Sequence, residues 1–173
     1  MLDILRQRRS IRHYTSEPLA PEIIDQLKEA LLRSPSSRGL DPWEFVFVTD
    51  KALLTELATA KPQHAHFLRD AALGIVVLGN ESVADTWIED CSIATIIVQL
   101  ACTSLGLGSC WVQIYRRDYA PGISAEQRVR QIVRVPESLR VLSIVSIGHP
   151  ARHPAPHAVE SLDFTKIKTN TYN

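Results

Sequence analysis

The stretch WIEDCSIATIIVQLACTSLGLGS, residues 87–109, predicts one long helix that is apolar on almost every side. Its polar side chains beyond the first turn recur every three or four positions and therefore share one stripe, formed by Ser92, Thr95, Gln99 and Thr103. Gly106 and Gly108 are expected to end the helix. A helix of this composition needs burial on nearly all sides, in the core of one chain or against a second subunit.

Strands and further helices alternate on both sides of this helix. Short runs of apolar residues predict strands at 43–50, 71–80, 109–115 and 139–150. Amphipathic patterns predict helices at 2–9, within 15–34, at 51–60 and at 124–135. Four core strands that alternate with helices predict a single sheet that is covered by helices on both faces.

Composition limits the classes of function. The 173 residues hold 19 basic and 19 acidic side chains, so the formal net charge is zero, and we expect a single domain. A neutral chain is not expected to bind nucleic acid or an anionic membrane through its overall field. No apolar run reaches the roughly 18 residues of a membrane span. The three cysteines lack CxxC spacing, which favours free thiols in a cytoplasmic protein over disulfides or a zinc site.

The sequence RRSIR, residues 8–12, concentrates positive charge within this neutral chain. Guanidinium groups bind phosphate oxygens through paired N–H donors, and the serine hydroxyl adds a further donor. The segment therefore fits a phosphate site, and it fits a solvated helix face equally well. A nucleic-acid surface is disfavoured, because the sequence supplies no extended basic region with exposed aromatic side chains.

A second candidate is the loop PSSRGLDP, residues 35–42, which lies directly before a predicted strand. It offers hydroxyl and backbone donors on a frame fixed by prolines, and Gly39 permits a positive φ or the close approach of a flat ligand. An ordinary helix-to-strand connection would have the same composition. Both interpretations stay open from the residues alone.

No acid, base or nucleophile stands out elsewhere in the sequence. The glycines of LGLGSCWVQIY, residues 105–115, follow a helix and precede a strand, which is the reverse of a dinucleotide-binding loop. Cys110 is expected to be a small buried apolar residue, and the helix dipole accounts for Glu89 and Asp90. The six histidines lack metal-ligand spacing. Anion-binding features without a catalytic group are typical of an enzyme whose cofactor carries the reaction.

Four stretches, taken in this order, resemble the FMN-dependent nitroreductase family in its compact branch: RRSIRHYTSEPL at 8–19, SPSSRGLDPWEFVFV at 34–48, EDCSIATIIVQLACTSLGLGSCWV at 89–112 and VSIGHPA at 145–151. The resemblance implies an α+β fold of three layers, α/β/α, with a central mixed and largely antiparallel sheet. It further implies an interlocked homodimer with two FMN molecules at the interface. Residues 1–173 would form one FMN-binding domain, with a C-terminal tail at 151–173 that wraps over the domain or over the partner subunit.

The resemblance also implies roles for individual residues. The phosphate and ribitol of FMN would be held by Arg8, Arg9, Ser10 and Arg12. The loop that approaches the flavin from the other subunit would contribute Pro35, Ser36, Ser37 and Arg38. Backbone near the reactive edge of the flavin would come from Gln113 and Ile114, and Arg152 would complete the phosphate site. No side chain is assigned as catalytic, because the flavin carries the chemistry.

The sequence departs from the family pattern at three places. Gly39 stands where many members have asparagine, and Asp41 stands where many have glutamine before Pro-Trp. Gln113 and Ile114 replace a usual glycine. The first two departures leave the electron acceptor open, and the third leaves open which backbone group contacts the flavin.

The reaction implied by the resemblance is a two-step cycle. NADH or NADPH passes hydride to flavin N5, the nicotinamide leaves, and a small electron-poor acceptor such as a nitro compound or quinone is reduced in the same cleft. Two alternatives remain at this point. One is a related flavin enzyme with other chemistry, such as reductive dehalogenation or enoate reduction. The other is a non-enzymatic module in which the arginines meet nucleic acid or an acidic partner.

Overall fold

A four-stranded antiparallel sheet forms the centre of the computed structural model, which describes residues 1–172. The strands are β1 (Trp43–Val48), β2 (Leu73–Gly79), β3 (Gly108–Gln113) and β6 (Arg140–Gly148), in the spatial order β1-β2-β6-β3. A small hairpin between them along the chain consists of β4 (Asp118–Ala120) and β5 (Ile123–Ser124). The largely antiparallel sheet that the resemblance implies is therefore confirmed. A single parallel bridge joins Ser10 to Ser109.

Five α-helices lie close to their predicted positions. They are α1 (Leu2–Gln7), α2 (Pro21–Leu32), α3 (Lys51–Leu57), α4 (Trp87–Ser104) and α5 (Ala125–Val133). Short 3-10 turns occupy Ser37–Gly39, His66–Asp70, Val159–Ser161 and Phe164–Lys166. The expected end of α4 was only half right. Gly106 follows the helix with a φ of +72°, but Gly108 is the first residue of β3.

Two apolar clusters cover the two faces of the sheet. The cluster on one face joins α2 and α4 to inward-facing side chains such as Ile75 and Val77. The cluster on the other face joins α3 and α5 to the alternate positions Val76 and Leu78. Every residue of β2 is buried, because the strand has neighbours on both sides and helices above and below. This confirms the three-layer α/β/α architecture.

Helix α4 is buried along only part of its circumference in the single chain. Cys91, Ala94 and Val98 pack into the core, whereas Ile93 and Ile96 are 37% and 38% exposed. The polar stripe forms its own hydrogen bonds, since the hydroxyls of Ser92, Thr95 and Thr103 donate to the carbonyl four residues earlier. The near-complete burial expected for this helix is therefore not reached within one chain.

Residues 151–172, called the tail below, leave the domain after β6, and every one of them is exposed. The backbone N–H of Ala151 donates to the carbonyl of His13 at 2.9 Å, and a side-chain N–H of Arg9 donates to the carbonyl of Ala155. These contacts hold only the start of the tail. Its later apolar side chains, which include Phe164 and Ile167, lie largely in solvent.

Candidate functional site

Residues 8–15, called the N-terminal segment below, are attached to the ends of two adjacent strands. The backbone N–H of Ile11 donates to the carbonyl of Ser109 in β3 at 2.9 Å. The backbone N–H of Thr15 donates to the carbonyl of His149, directly after β6, at 2.9 Å. These bonds fix the segment across the end of the sheet, so its arginines have a defined place.

Two glycines allow the N-terminal segment to lie this close. A Cβ on Gly108 would lie 2.7 Å from Cγ2 of Ile11, and a Cβ on Gly148 would lie 2.9 Å from Cδ1 of Tyr14. The Tyr14 hydroxyl donates to the carbonyl of Ile11 at 2.7 Å and shares a hydrogen bond with Oγ of Ser146 at 2.7 Å. Burial raises the pKa of Tyr14, so this anchor stays protonated and neutral.

Three of the predicted phosphate ligands come together beside the thiol of Cys110. Arg12, Ser10 and Arg8 each act to lower the pKa of this thiol. The Arg12 guanidinium carbon lies 5.9 Å from the ring centre of Phe67. Burial raises the pKa of Cys110, and the positive charge of Arg12 opposes that rise in part. Cys110 is a buried, neutral side chain beneath the arginines, as the sequence predicted.

Two further cations that the sequence analysis missed lie near this group. Burial and the positive charge of Arg117 lower the pKa of Lys61, and the Cys110 thiol opposes that shift in part. We call Arg8, Arg12, Lys61 and Arg117 the cationic cluster. Within residues 1–172, none of the four forms a salt bridge. No motif marks Lys61, because only the fold brings its loop to β3.

The cationic cluster borders the open edge of β3, which is the last strand of the sheet. The carbonyl of Ser109 faces outward to the N-terminal segment, and backbone groups alternate in direction along a strand. The backbone groups of Trp111 and Gln113 therefore face outward as well. An exposed edge strand presents N–H and C=O groups that a ligand or another chain can bind.

Gln113 and Ile114 have different environments. The Gln113 side chain accepts a hydrogen bond from Trp111 Nε1 at 2.9 Å and donates one to the carbonyl of Tyr115 at 3.0 Å. Ile114 is fully buried, and its backbone N–H donates to the carbonyl of Leu142 at 3.1 Å. Of the two predicted backbone contacts, only that of Gln113 faces the open edge.

Arg9 and Arg152 lie where the tail crosses the N-terminal segment. Arg9 donates to the carbonyl of Ala155 and lines a cavity of about 370 Å³, together with Thr103, His153 and three prolines of the chain. Arg152 is exposed and directly follows Ala151, which is bonded to His13. Both arginines are thus near the N-terminal segment, and their role in phosphate binding stays a prediction.

Residues 35–41, called the serine loop below, have a tightly held backbone. Oγ of Ser36 donates to Oδ1 of Asp41 at 2.6 Å and accepts from the backbone N–H of Asp41 at 2.9 Å. Arg38, Gly39 and Asp41 all have positive φ angles, of 57°, 64° and 46°. Asp41, which departs from the family pattern, thus closes the loop, and Gly39 has the left-handed conformation expected for it.

Acidic residues in the first turn of α4 and just before it accept hydrogen bonds from the serine loop. Oδ1 of Asp90 accepts the backbone N–H of Ser37 at 2.8 Å, and its Oδ2 accepts the hydroxyl of Thr86 at 3.1 Å. Arg38 donates to Asp85 at 2.7 Å. Asp90 lies in the first turn of α4, where the sequence analysis explained it by the helix dipole. It is also only 2% exposed, and its hydrogen bond to Ser37 is a contact that the sequence did not reveal.

The serine loop and the cationic cluster lie at opposite ends of α4. Asp90 in the first turn holds the loop, whereas Gly108, just beyond the last turn, contacts the N-terminal segment. An α-helix rises 1.5 Å per residue, so the 18 residues of α4 span about 27 Å. One chain therefore does not bring the two halves of the predicted site together.

Residues 1–172 contain no group of three or more His, Cys, Asp or Glu side chains that could hold a metal ion. No helix within the same range is long and apolar enough to cross a membrane.

Comparisons with known proteins agree with the geometry. The model of the nitroreductase family matches residues 5–65 and 58–149. The chain is similar to the solved structure of an FMN-dependent nitroreductase from Clostridium difficile R20291, with a TM-score of 0.97, 38% identity and 99% coverage of each chain. It is also 31% identical to an NADH dehydrogenase/NAD(P)H nitroreductase of Methanothermobacter thermautotrophicus, over 89% of this chain and 79% of that protein. A protein of the same name from Archaeoglobus fulgidus is 32% identical, over 86% of this chain and 84% of that protein.

Proposed function

The chain belongs to the nitroreductase family, and we propose that it is an FMN-dependent oxidoreductase which takes electrons from NADH or NADPH. The electrons pass to a small electron-poor acceptor, such as a nitro compound or a quinone. The observation that carries the proposal is the cationic cluster, which borders the open edge of β3 and forms no salt bridge within residues 1–172.

The residues present fit FMN. The phosphate of FMN is a dianion at neutral pH, and Arg8 and Arg12 can bind its oxygens through paired N–H donors. Ser10 adds an exposed hydroxyl between them. The outward backbone groups of Trp111 and Gln113 supply donors and acceptors for the polar edge of a flat ring. Gly108 keeps the segment that carries these ligands against the strand.

The protein contributes binding, orientation and electrostatics. FMN, when bound, accepts hydride from a nicotinamide and returns reducing equivalents to an acceptor. Arg8, Ser10 and Arg12 bind the phosphate, and Arg152 from the start of the tail adds to them. Lys61 and Arg117 supply fixed positive charge, which favours any negative charge that develops nearby. The chemistry requires no nucleophile from the chain, and none of its three buried thiols is needed for it.

A homodimer completes the site in this proposal. The serine loop of one subunit reaches the flavin site of the partner, because within one chain the loop and the N-terminal segment are held at opposite ends of α4, a helix about 27 Å long. The exposed apolar side of α4, with Ile93 and Ile96, would be covered by the partner. The exposed apolar side chains of the tail would pack on the partner in the same way. A cytoplasmic location without nucleic-acid or membrane partners is part of the proposal.

Flavin binding tests the phosphate assignment. FMN is titrated into the apoprotein, and the dissociation constant is compared with that of riboflavin, which lacks the phosphate. We expect Arg8→Ala and Arg12→Ala to weaken FMN binding at least about tenfold and to leave riboflavin binding nearly unchanged. Arg9→Ala tests the third arginine in the same assay. Arg6→Ala is the matched control, because Arg6 pairs with Asp3 on the exposed face of α1.

The electron donor and the acceptor are tested separately. NADH or NADPH is added anaerobically to the FMN-loaded protein, and we expect the visible flavin bands to bleach. Reoxidation is then compared among a nitroaromatic compound, a quinone, a halogenated aromatic compound and an activated enoate. Preferred reoxidation by one of the last two would assign the related flavin chemistry instead. A protein that binds no flavin at all would contradict the proposed function.

A further inference from the structure

Asp90 is a buried carboxylate that the proposed chemistry does not use. It is 2% exposed, and no basic side chain pairs with it within residues 1–172. Burying a charge without a counter-ion is costly unless hydrogen bonds compensate. The neighbouring Glu89 is exposed in the same helical turn, so it interacts with the helix dipole without that cost. Asp90 therefore has a role that its two hydrogen bonds must explain.

One of the two hydrogen bonds reaches the serine loop, and the other orients the carboxylate. Oδ1 accepts the backbone N–H of Ser37 at 2.8 Å, where the chain enters the 3-10 turn. Oδ2 accepts the hydroxyl of Thr86 at 3.1 Å, which fixes the rotation of the carboxylate. A second link to the loop, between Arg38 and Asp85 just before α4, is largely exposed and contributes little. Asp90 is thus the buried attachment of the loop to the helix.

The serine loop requires such an attachment because part of its backbone has an unfavourable conformation. Ser36 is extended, with φ −135° and ψ 159°, and the following Arg38 and Gly39 have φ of 57° and 64°. Positive φ is unfavourable for arginine and persists only where surrounding contacts enforce it. A charged acceptor on the Ser37 N–H supplies one such contact, and a hydrogen bond to a charged group is stronger than a neutral one.

We propose that Asp90 is a positioning residue for the flavin site of the partner subunit, which it serves by fixing the Ser37 N–H and so holding Pro35, Ser36 and Ser37 in the orientation that meets the cofactor. The inference rests on the proposed function and deepens it. It assigns to α4 a function besides packing: the helix carries the serine loop of its own subunit toward the site of the other. Asp90 acts through the loop and does not touch the cofactor.

The test compares three variants of the full-length protein in FMN titrations and in visible absorption and circular dichroism spectra of the bound flavin. Asp90→Ala removes both hydrogen bonds, and we expect FMN binding to weaken about tenfold with altered flavin bands at saturation. Asp90→Asn keeps an oxygen acceptor for the Ser37 N–H, so binding is expected within about threefold of the wild type. Glu89→Ala, in the same turn but exposed, is expected to change neither readout.

The outcomes separate the inference from the proposed function. If the wild type binds FMN and Asp90→Ala binds it equally well with an unchanged flavin spectrum, Asp90 is only a structural residue and the inference is wrong, whatever happens to stability. If the wild type binds no FMN, the proposed function fails first. If Asp90→Ala does not fold, Thr86→Val is used instead, because it removes the hydrogen bond that orients the Asp90 carboxylate. We then expect about threefold weaker FMN binding and shifted flavin bands. Unchanged binding and spectrum in Thr86→Val would overturn the inference.

Discussion

Gly108 and Gly148 are paired across β3 and β6, and each leaves room for one side chain of the N-terminal segment. Ile11 fits over the first glycine and Tyr14 over the second, so the absence of two Cβ atoms brings the arginines to the end of the sheet. In the sequence both glycines have simpler explanations, as a helix end and as a strand end. Their function follows only from which side chains lie above them.

Gly108→Ala tests this fit at the level of one atom. The new Cβ would lie within 3 Å of Cβ and Cγ2 of Ile11, which are close to the backbone and cannot rotate away. We expect the free energy of unfolding to fall by about 1–3 kcal/mol. FMN binding should weaken as well, because the displaced segment carries Arg8, Ser10 and Arg12. Chemical denaturation and FMN titration measure the two effects. Ser104→Ala, at the exposed end of α4, should change neither.

Tyr14→Phe separates packing from hydrogen bonding in the same anchor. The ring remains over Gly148, but the buried carbonyl of Ile11 and the hydroxyl of Ser146 lose a partner. A buried polar group left without a hydrogen bond costs about 1–2 kcal/mol. We expect a loss of this size in the free energy of unfolding, measured by urea denaturation, with little change in FMN binding. A much larger loss of FMN binding than of stability would mean that the hydroxyl aligns the arginines.

At the scale of elements, the sequence predicted all four core strands and the helices that cover them. Periodicity was sufficient there, because the pattern of apolar and polar residues in a strand or helix shows which of its faces is buried. It failed where a role depends on a contact between distant elements. Asp90 looked like a helix-dipole residue until the fold placed Ser37 against it. Lys61 lies after α3 in a loop without a motif, and only the fold brings it close enough to Arg117 for the two positive charges to interact.

The two buried thiols of α4 make stability depend on high pH. Burial raises the pKa of Cys91 and of Cys102 from an ordinary value near 9 to about 12, and the charge of Asp90 adds to the rise at Cys91. The folded state therefore holds these protons more tightly than the unfolded state. The two protonated thiols make their full contribution to the free energy of unfolding below pH 9, and this contribution is lost as the pH rises toward 12. We expect the free energy of unfolding to fall by about 1.4 kcal/mol per pH unit for each thiol.

Denaturation in reducing buffer between pH 8 and 12 measures this slope. Cys102→Ala should reduce the slope by the share of one thiol, about 1.4 kcal/mol per pH unit. The remaining slope comes from Cys91, from Cys110 and, above pH 10, from Tyr14, whose pKa values are also raised. A slope that does not change in Cys102→Ala would show that the thiol is not the group that titrates. Replacing the buried Cys102 by alanine also lowers the free energy of unfolding by an amount that does not depend on pH. The readout is therefore the slope of the free energy of unfolding against pH, not its absolute value.

At the scale of the molecule, one chain alone leaves positive charges without acidic partners among the described residues and leaves apolar side chains exposed. The net charge is zero, yet the cationic cluster has no acidic partner in the described residues, while acidic residues gather at the other end of α4. Ile93 and Ile96 of α4 and the apolar side chains of the tail face solvent. A dimer that joins the serine loop of one subunit to the cationic cluster of the other would complete both, with one anionic cofactor in each site.

The tail provides the sharpest test of that assembly. Phe164 and Ile167 are 60% and 69% exposed in one chain, and burying an apolar side chain of this size contributes about 1.5–3 kcal/mol. If both pack on the partner, Phe164→Ser with Ile167→Ser should raise the dimer dissociation constant about 100-fold or more, as measured by sedimentation. FMN occupancy should fall with the dimer, since the serine loop would lose its site. Lys166→Ser, which is also exposed and lies between them, is the control. A dimer of unchanged affinity in the double variant would mean that the tail extends freely and that α4 alone holds the subunits together.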